Sequence, residues 1–296
     1  GRLVANTSIK TQNYPDFNDF IDAIAAALSQ VMEEVGGPQM ITGIGIGAPN
    51  ANYYTGNIEF APNLPWKGVL PLAESLYERL GIPVAVTNDA NAAAIGEMTY
   101  GAGKGMRDFI EITLGTGVGS GIVINGELVY GHDGFAGELG HVTTRHKGNR
   151  ACGCGYVDHL ECYCSATGVA RTARELLATR ETPSALRSLD PEQITSKDVF
   201  DAAQAGDELA KEIFEFTGKV MGEAFADFVS FSAPEAIILF GGLANAGDIL
   251  MKPIIENMEA NLLKIWKGKI KVLPSGLKSA DAAVLGAAAL GWKAKE

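Results

Sequence analysis

No stretch of this chain approaches the ~18 consecutive apolar residues of a membrane-span candidate. Its opening residues lack the charged-then-apolar order of a secretory leader. Basic residues are in deficit: 24 Lys and Arg against 35 Asp and Glu leave a formal net charge of −11. That excludes a broad basic face for nucleic acid or an anionic membrane, although a local field can still hold an anionic substrate. Cysteine is scarce, four in 296 residues, and all four lie between positions 152 and 164. So tight a cluster in so long a chain reads as a metal site in a reducing compartment, hence the cytoplasm, rather than as a disulfide framework. There is no low-complexity tract and no short-period repeat.

What remains is ordinary globular usage, 47% apolar and 20% charged, in a chain long enough for two compact domains. Apolar positions recur at helical spacing through residues 16–35 (Phe20, Ile24, Leu28, Val31), and residues 69–80 and 90–100 are also helix-compatible. Strands are expected at 3–11, 41–47 and 82–87, then as a glycine-turned meander at 109–113, 121–124 and 127–129. The second half reads as helices near 161–178, 206–231, 246–264 and 281–292, with a polar loop at 180–196 and strands at 236–240 and 269–273. Strands interleaved with helices indicate an α/β class.

Five segments carry chemistry. Thr87-Asn88-Asp89-Ala90-Asn91 follows a strand, where α/β proteins place ligands. Asp89 there is either a proton acceptor or a helix N-cap. Leu114-Gly115-Thr116-Gly117-Val118-Gly119-Ser120-Gly121 is either a phosphate cradle of backbone N–H groups or a hairpin turn. It is no Walker A loop, because no Gly-Lys-Ser/Thr follows. Gly137-Glu138-Leu139-Gly140-His141 puts an acceptor and an imidazole three residues apart, on one side if helical, or simply on the surface. Cys152-Gly-Cys154 with His159 and His141 supplies four N/S ligands suited to a closed tetrahedral zinc site, the alternative being free thiols. Leu239-Phe240-Gly241-Gly242-Leu243 ends a buried strand in a glycine pair, for a flat ligand or for a tight turn.

Taken in order, these segments resemble the ROK family (repressors, open reading frames, sugar kinases), in particular its bacterial glucokinases, over essentially the whole chain. Gly-Glu-Leu-Gly-His followed by Cys-Gly-Cys-Gly and Leu-Glu is the specific part. The resemblance implies a two-domain actin-like ATPase fold of the hexokinase, sugar-kinase and Hsp70 type, with a cleft between a smaller domain (1–90 plus 279–296) and a larger one (91–278). It implies ATP-dependent phosphorylation of a hexose at its 6-hydroxyl, with ATP and magnesium as cofactors, a structural zinc, and a homodimer. Asp89 is then the catalytic base. Asn63, Asn88, Glu138, His141 and Glu161 bind the sugar, and His141, Cys152, Cys154 and His159 bind zinc. Gly115, Thr116, Gly117 and Gly119 form a phosphate segment, and Gly241 and Gly242 the adenosine segment. Glucose is the expected substrate; N-acetylglucosamine, N-acetylmannosamine, fructose or allose are the alternatives, and a sugar-responsive repressor is the rival outside catalysis.

Two departures stand out. The family's third cysteine is His159 here, so a His₂Cys₂ site is expected, with Cys162 or Cys164 as substitutes. The family's opening Asp-x-Gly-Gly-Thr segment does not occur, and the chain begins about where the following strand is expected. The expectation is therefore that a phosphate-binding hairpin precedes Gly1, and that without it phosphate binding is crippled.

Overall fold

A computed structural model describes residues 3–277 and 279–295. Along the chain run α1 (Phe17–Glu34), β1 (Ile44–Gly47), β2 (Ile58–Glu59), β3 (Val69–Leu70), α2 (Leu72–Leu80), β4 (Val84–Thr87) and α3 (Asp89–Tyr100). The meander β5 (Phe109–Leu114), β6 (Val118–Ile124) and β7 (Glu127–Leu128) follows, then α4 (Glu161–Cys164), α5 (Ala166–Thr179), α6 (Ser196–Gln204) and α7 (Glu208–Ser232). The chain closes with β8 (Ala236–Phe240), α8 (Asp248–Asn261), β9 (Lys271–Pro274) and α9 (Ser279–Gly291). This is the α/β class expected. Among the described residues no helix is long and apolar enough to cross a membrane. The chain divides into two compact units: Gly1–Gly105 with Leu128–Gly137 and Gly276–Glu296, and Met106–Glu127 with Glu138–Ser275.

In the first unit β1 and β4 pair in parallel, Ile44 opposite Val84 through Gly47 opposite Thr87. Both strands end together, and the chain turns at Asn88 straight into α3. Asp16 starts α1 by accepting from the backbone N–H groups of Asn18 and Asp19 at 2.8 and 3.3 Å. The apolar stripe of α1 then buries Ile21 and Ala25 against Trp66, Leu72, Leu76 and Val86. α9 lies over β1 and α3 because glycine lets the backbones approach. A Cβ on Gly45 would strike the Ala287 carbonyl, and one on Gly286 would strike that of Ala92.

In the second unit the sheet order is β7-β6-β5-β8-β9. β5 is antiparallel to β6 and parallel to β8, and β8 is parallel to β9. The central strands are buried on both faces, which is why Ala236–Leu239 is continuously apolar rather than alternating. α7 packs on α8 through Gly218 and Gly222, whose missing side chains make room for Pro253 and Asn257.

Three expectations fail. Residues 3–11 form no strand: a strand needs a neighbour for its backbone groups, and this stretch joins no ladder, with Val4 66% exposed. The helix expected over 161–178 breaks at Ser165, whose extended backbone ends α4. Its Oγ accepts from Gly168 N–H at 3.0 Å and so starts α5. α6 was hidden beside the polar loop. Its sequence signal is a capping box, Thr195 with Asp198, each side chain bonding the other's backbone.

Candidate active site

The first unit contains the end of β4. Asn88 is the helix cap: its Oδ1 accepts the Ala90 N–H at 2.8 Å. Asp89 opens α3 with its carboxylate exposed, and its Oδ1 shares the same N–H at 2.9 Å. The N-cap of α3 is thus Asn88, with the Asp89 carboxylate at the first helical position. Asn63 is exposed in the loop between β2 and β3, where Lys67 Nζ bonds the flanking Pro62 and Leu64 carbonyls at 3.1 and 2.9 Å.

Within the second unit the separately read glycine segments come together. β5 and β8 are parallel, so both deliver their carboxyl ends to the same edge of the sheet. Gly115–Gly117 is the turn of the β5–β6 hairpin, so the turn reading of that segment is its geometry. Gly241, at φ +102°, comes so close to this turn that a Cβ would strike the Leu114 carbonyl. Gly242 faces open space. A paired set of glycine turns at the carboxyl edge of parallel strands is where this class of fold holds phosphate and nucleotide.

Glu138 precedes and His141 ends a single 3₁₀ turn, Leu139–His141, rather than an α-helix. They still face one another, His141 Nε2 standing 3.8 Å from Glu138 Oε2. Gly140 is required there, since a Cβ would strike the Val118 carbonyl of β6. The segment from 142 to 160 then folds back on itself through two short bridged stretches, Thr143 with His159 and Ala151 with Val157. This is what assembles the cysteine cluster.

In the cluster, His141 Nδ1, Cys152 Sγ, Cys154 Sγ and a His159 ring nitrogen all lie within 4.8 Å of one another. The tested edges are 3.3 Å between the two Nδ1 atoms, 3.8 Å from Cys152 to His141, 3.3 Å from Cys154 to His159 and 3.1 Å between the sulfurs. Zn–S bonds of about 2.3 Å and Zn–N bonds of about 2.0–2.1 Å at tetrahedral angles give edges of about 3.8 Å (S–S), 3.6 Å (S–N) and 3.3 Å (N–N). These three nitrogen-containing edges lie within about 0.3 Å of such an ion's, and the sulfur pair is the one that would spread. Burial pushes the Cys152 thiol up, and the adjacent Glu161 carboxylate adds to that. A bound cation works in the opposite sense, because it holds the thiolate. Cys164 is fully buried against the Thr217 carbonyl of α7, 3.7 Å away, and is turned away from this cluster. Cys162 is buried, and burial raises its thiol.

Glu161, the first residue of α4, joins the parts. Its Oε1 accepts from Cys152 Sγ at 3.0 Å, and a Cβ on Gly117 would lie 2.7 Å from its Oε2. The cysteine loop and the β5–β6 turn therefore both lie against one carboxylate. Spacing did not reveal the polar core beneath them. Arg150, Asp158 and Tyr163 are all buried there, and Tyr163 O–H donates to Asp158 Oδ1 at 2.6 Å. That bond holds the Asp158 carboxyl below its usual range. Burial, aided by the same bond, pushes the Tyr163 phenol up to about 12. The only sequence signal was an Arg and an Asp placed inside a cysteine-rich loop.

The ROK family model matches residues 5–294. The chain is 41% identical over 260 residues to a glucokinase of Halalkalibacterium halodurans, covering 86% of this chain and 77% of that one. It is 36% identical to a glucokinase of Thermotoga maritima, covering 92% and 84%. Among solved structures, the ROK family glucokinase of Streptomyces griseus in complex with glucose and AMPPNP superposes with a TM-score of 0.78 at 35% identity, covering 95% of this chain and 89% of that one. The chain belongs to the ROK family, and its fold is the two-domain actin-like ATPase fold of that family's sugar kinases.

Proposed function

We propose that this ROK protein is a hexose kinase that transfers the γ-phosphoryl group of ATP to the 6-hydroxyl of glucose. The observation that carries the reading is the split at the start of α3, where Asn88 caps the helix and leaves the Asp89 carboxylate exposed to accept a proton. The glucokinase relatives at 36–41% identity support it. A sugar hydroxyl is a weak nucleophile near neutral pH, and a positioned base is worth ~10²–10⁴-fold in rate. The hydroxyl oxygen bonds to the γ-phosphorus as its proton passes to Asp89. The bond from that phosphorus to the bridging oxygen breaks, and ADP leaves.

Asn63, Asn88, Glu138, His141 and Glu161 are the residues that would fix the ring hydroxyls. A site built from such groups rejects sugars that leave them unpaired. Backbone amides of Gly115, Thr116, Gly117 and Gly119 would face the phosphates, and Gly241 and Gly242 the adenosine. Magnesium bound with ATP supplies the charge neutralisation this transfer needs.

Zinc on His141, Cys152, Cys154 and His159 would be structural, since four protein ligands leave no open position. With Nδ1 toward the cluster, His141 keeps Nε2, the atom near Glu138, for a hydroxyl. The reading places the enzyme in the cytoplasm, where such thiols stay reduced, in glycolytic carbohydrate metabolism and as a homodimer. A coupled ADP-release assay across glucose, N-acetylglucosamine, N-acetylmannosamine, fructose and allose tests it. Glucose should give the highest kcat/KM. A higher value elsewhere reassigns the substrate, and no release with any hexose overturns the kinase reading.

A further inference from the structure

Beneath the cysteine cluster lies a closed ring of contacts that no part of the proposed chemistry uses. Arg150 is 4% exposed, and its guanidinium lies 4.4 Å from the centre of the Tyr163 ring. Its Nη1 donates to the Cys162 carbonyl of α4 at 3.2 Å, and its Nη2 to Glu175 Oε2 of α5 at 2.6 Å. Its backbone N–H donates to Asp158 Oδ1 at 2.9 Å, and its carbonyl accepts from the Asp158 N–H at 2.9 Å. Tyr163 O–H closes the ring on Asp158, and Gly148 N–H donates to the Tyr163 oxygen at 3.1 Å. On the outer side Glu175 also takes Arg171 Nε at 3.1 Å, and Arg171 Nη1 reaches the Ala151 carbonyl at 3.4 Å.

The placement of these residues gives the ring its meaning. Arg150 stands two residues before Cys152, Asp158 one before His159, and Tyr163 two after Glu161. The guanidinium therefore ties the helix that begins with Glu161 to α5 and to the Tyr163 ring, while the Arg150 backbone and the Tyr163 hydroxyl join the two cysteine-loop stretches through Asp158. It does so with a planar fork that a lysine cannot reproduce. On this side α4 is held through the Cys162 carbonyl and the Tyr163 ring, as Cys164 holds it to α7 on the other.

We infer that Arg150 is a positioning residue for hexose recognition: through Cys162 and Tyr163 it sets where the Glu161 carboxylate stands, and so which hydroxyl pattern is accepted. The inference rests on the kinase reading given above. Arg150 touches neither sugar nor phosphate in this scheme. Its effect is on discrimination, because a carboxylate that wanders no longer penalises a misplaced hydroxyl.

The test compares wild type with Arg150→Met, Arg150→Lys and Tyr163→Phe. The reading is kcat/KM for glucose divided by kcat/KM for mannose, allose and galactose, its epimers at carbons 2, 3 and 4. A partly unfolded preparation lowers all four values together and leaves the ratios alone. Arg150→Met should raise the glucose KM about tenfold or more and narrow at least one ratio by about fivefold or more, with bound zinc retained. Arg150→Lys should not restore the ratio. Tyr163→Phe, which loses only a hydroxyl, should shift the same ratio in the same direction, and it carries the test if Arg150→Met does not fold. Unchanged ratios in Arg150→Met, or in Tyr163→Phe where it stands in, with an active wild type overturn this inference alone. A wild type that phosphorylates no hexose overturns the kinase reading and this inference with it.

Discussion

Replacing Asp89 by Asn isolates the proton acceptor from the helix it opens. The capping bond of α3 belongs to Asn88, at 2.8 Å from the Ala90 N–H, and it survives the change. The new amide oxygen keeps the shape that now accepts the same N–H at 2.9 Å. What is lost for stability is one negative charge at a helix N-terminus, about 0.3–1 kcal/mol at an exposed position. What is lost for catalysis is general-base assistance, ~10²–10⁴-fold in kcat, or about 2.7–5.4 kcal/mol of barrier. The two magnitudes are far enough apart to separate the roles. Steady-state ADP release at saturating glucose reads kcat, calorimetric titration without ATP reads glucose binding, and a melting curve reads the fold. The expected pattern is kcat below a hundredth of wild type, glucose affinity within about tenfold, and little change in Tm. Asn88→Ala should instead lower stability by about 0.5–2 kcal/mol. An Asp89→Asn enzyme that keeps more than a tenth of wild-type kcat, or that melts as Asn88→Ala should, refutes the assignment.

Protein purified without added metal should carry one zinc per chain by elemental analysis, and Cys154→Ser should lose most of it. In the same variant the glucose KM should rise about tenfold or more, because His141 and Glu161 both loosen and one decade is about 1.4 kcal/mol. The ATP KM should rise less, though not by zero, since Gly117 lies against Glu161; an equal rise in both would show that the cysteine loop does not organise the sugar residues. His146 gives a pH prediction. Burial lowers its pKa below the ordinary 6.5, with Glu223 partly opposing that. The unfolded chain then binds the proton more readily, so stability is full above about 6.5 and falls as pH drops toward the folded value. Tm measured from pH 7.5 to 5 should show this decline, and His146→Asn should flatten it; an identical slope in the variant would remove His146 as the cause.

Much of this protein was legible in the chain itself. The apolar spacing of α1, the continuous apolar run of β8 and the glycine-turned meander are local signals. They hold because a strand buried on both faces and a helix with one buried stripe each impose their own period. The ligand types were legible too, since all four cysteines and three of the four histidines fall within residues 141–164, although which of them converge was not. Tertiary structure decided what depends on partners distant in sequence. Residues 3–11 alternate like a strand and are none, because the ladder they need is missing among the described residues. Two glycine segments more than a hundred residues apart meet because β5 and β8 run parallel and end at one edge. Asn88 rather than Asp89 became the cap through a backbone turn that residue type does not specify. The Arg150 ring was invisible for the same reason: a guanidinium buried between a loop and two helices is held by a carbonyl, a ring face and a carboxylate, and only the folded chain says which ones.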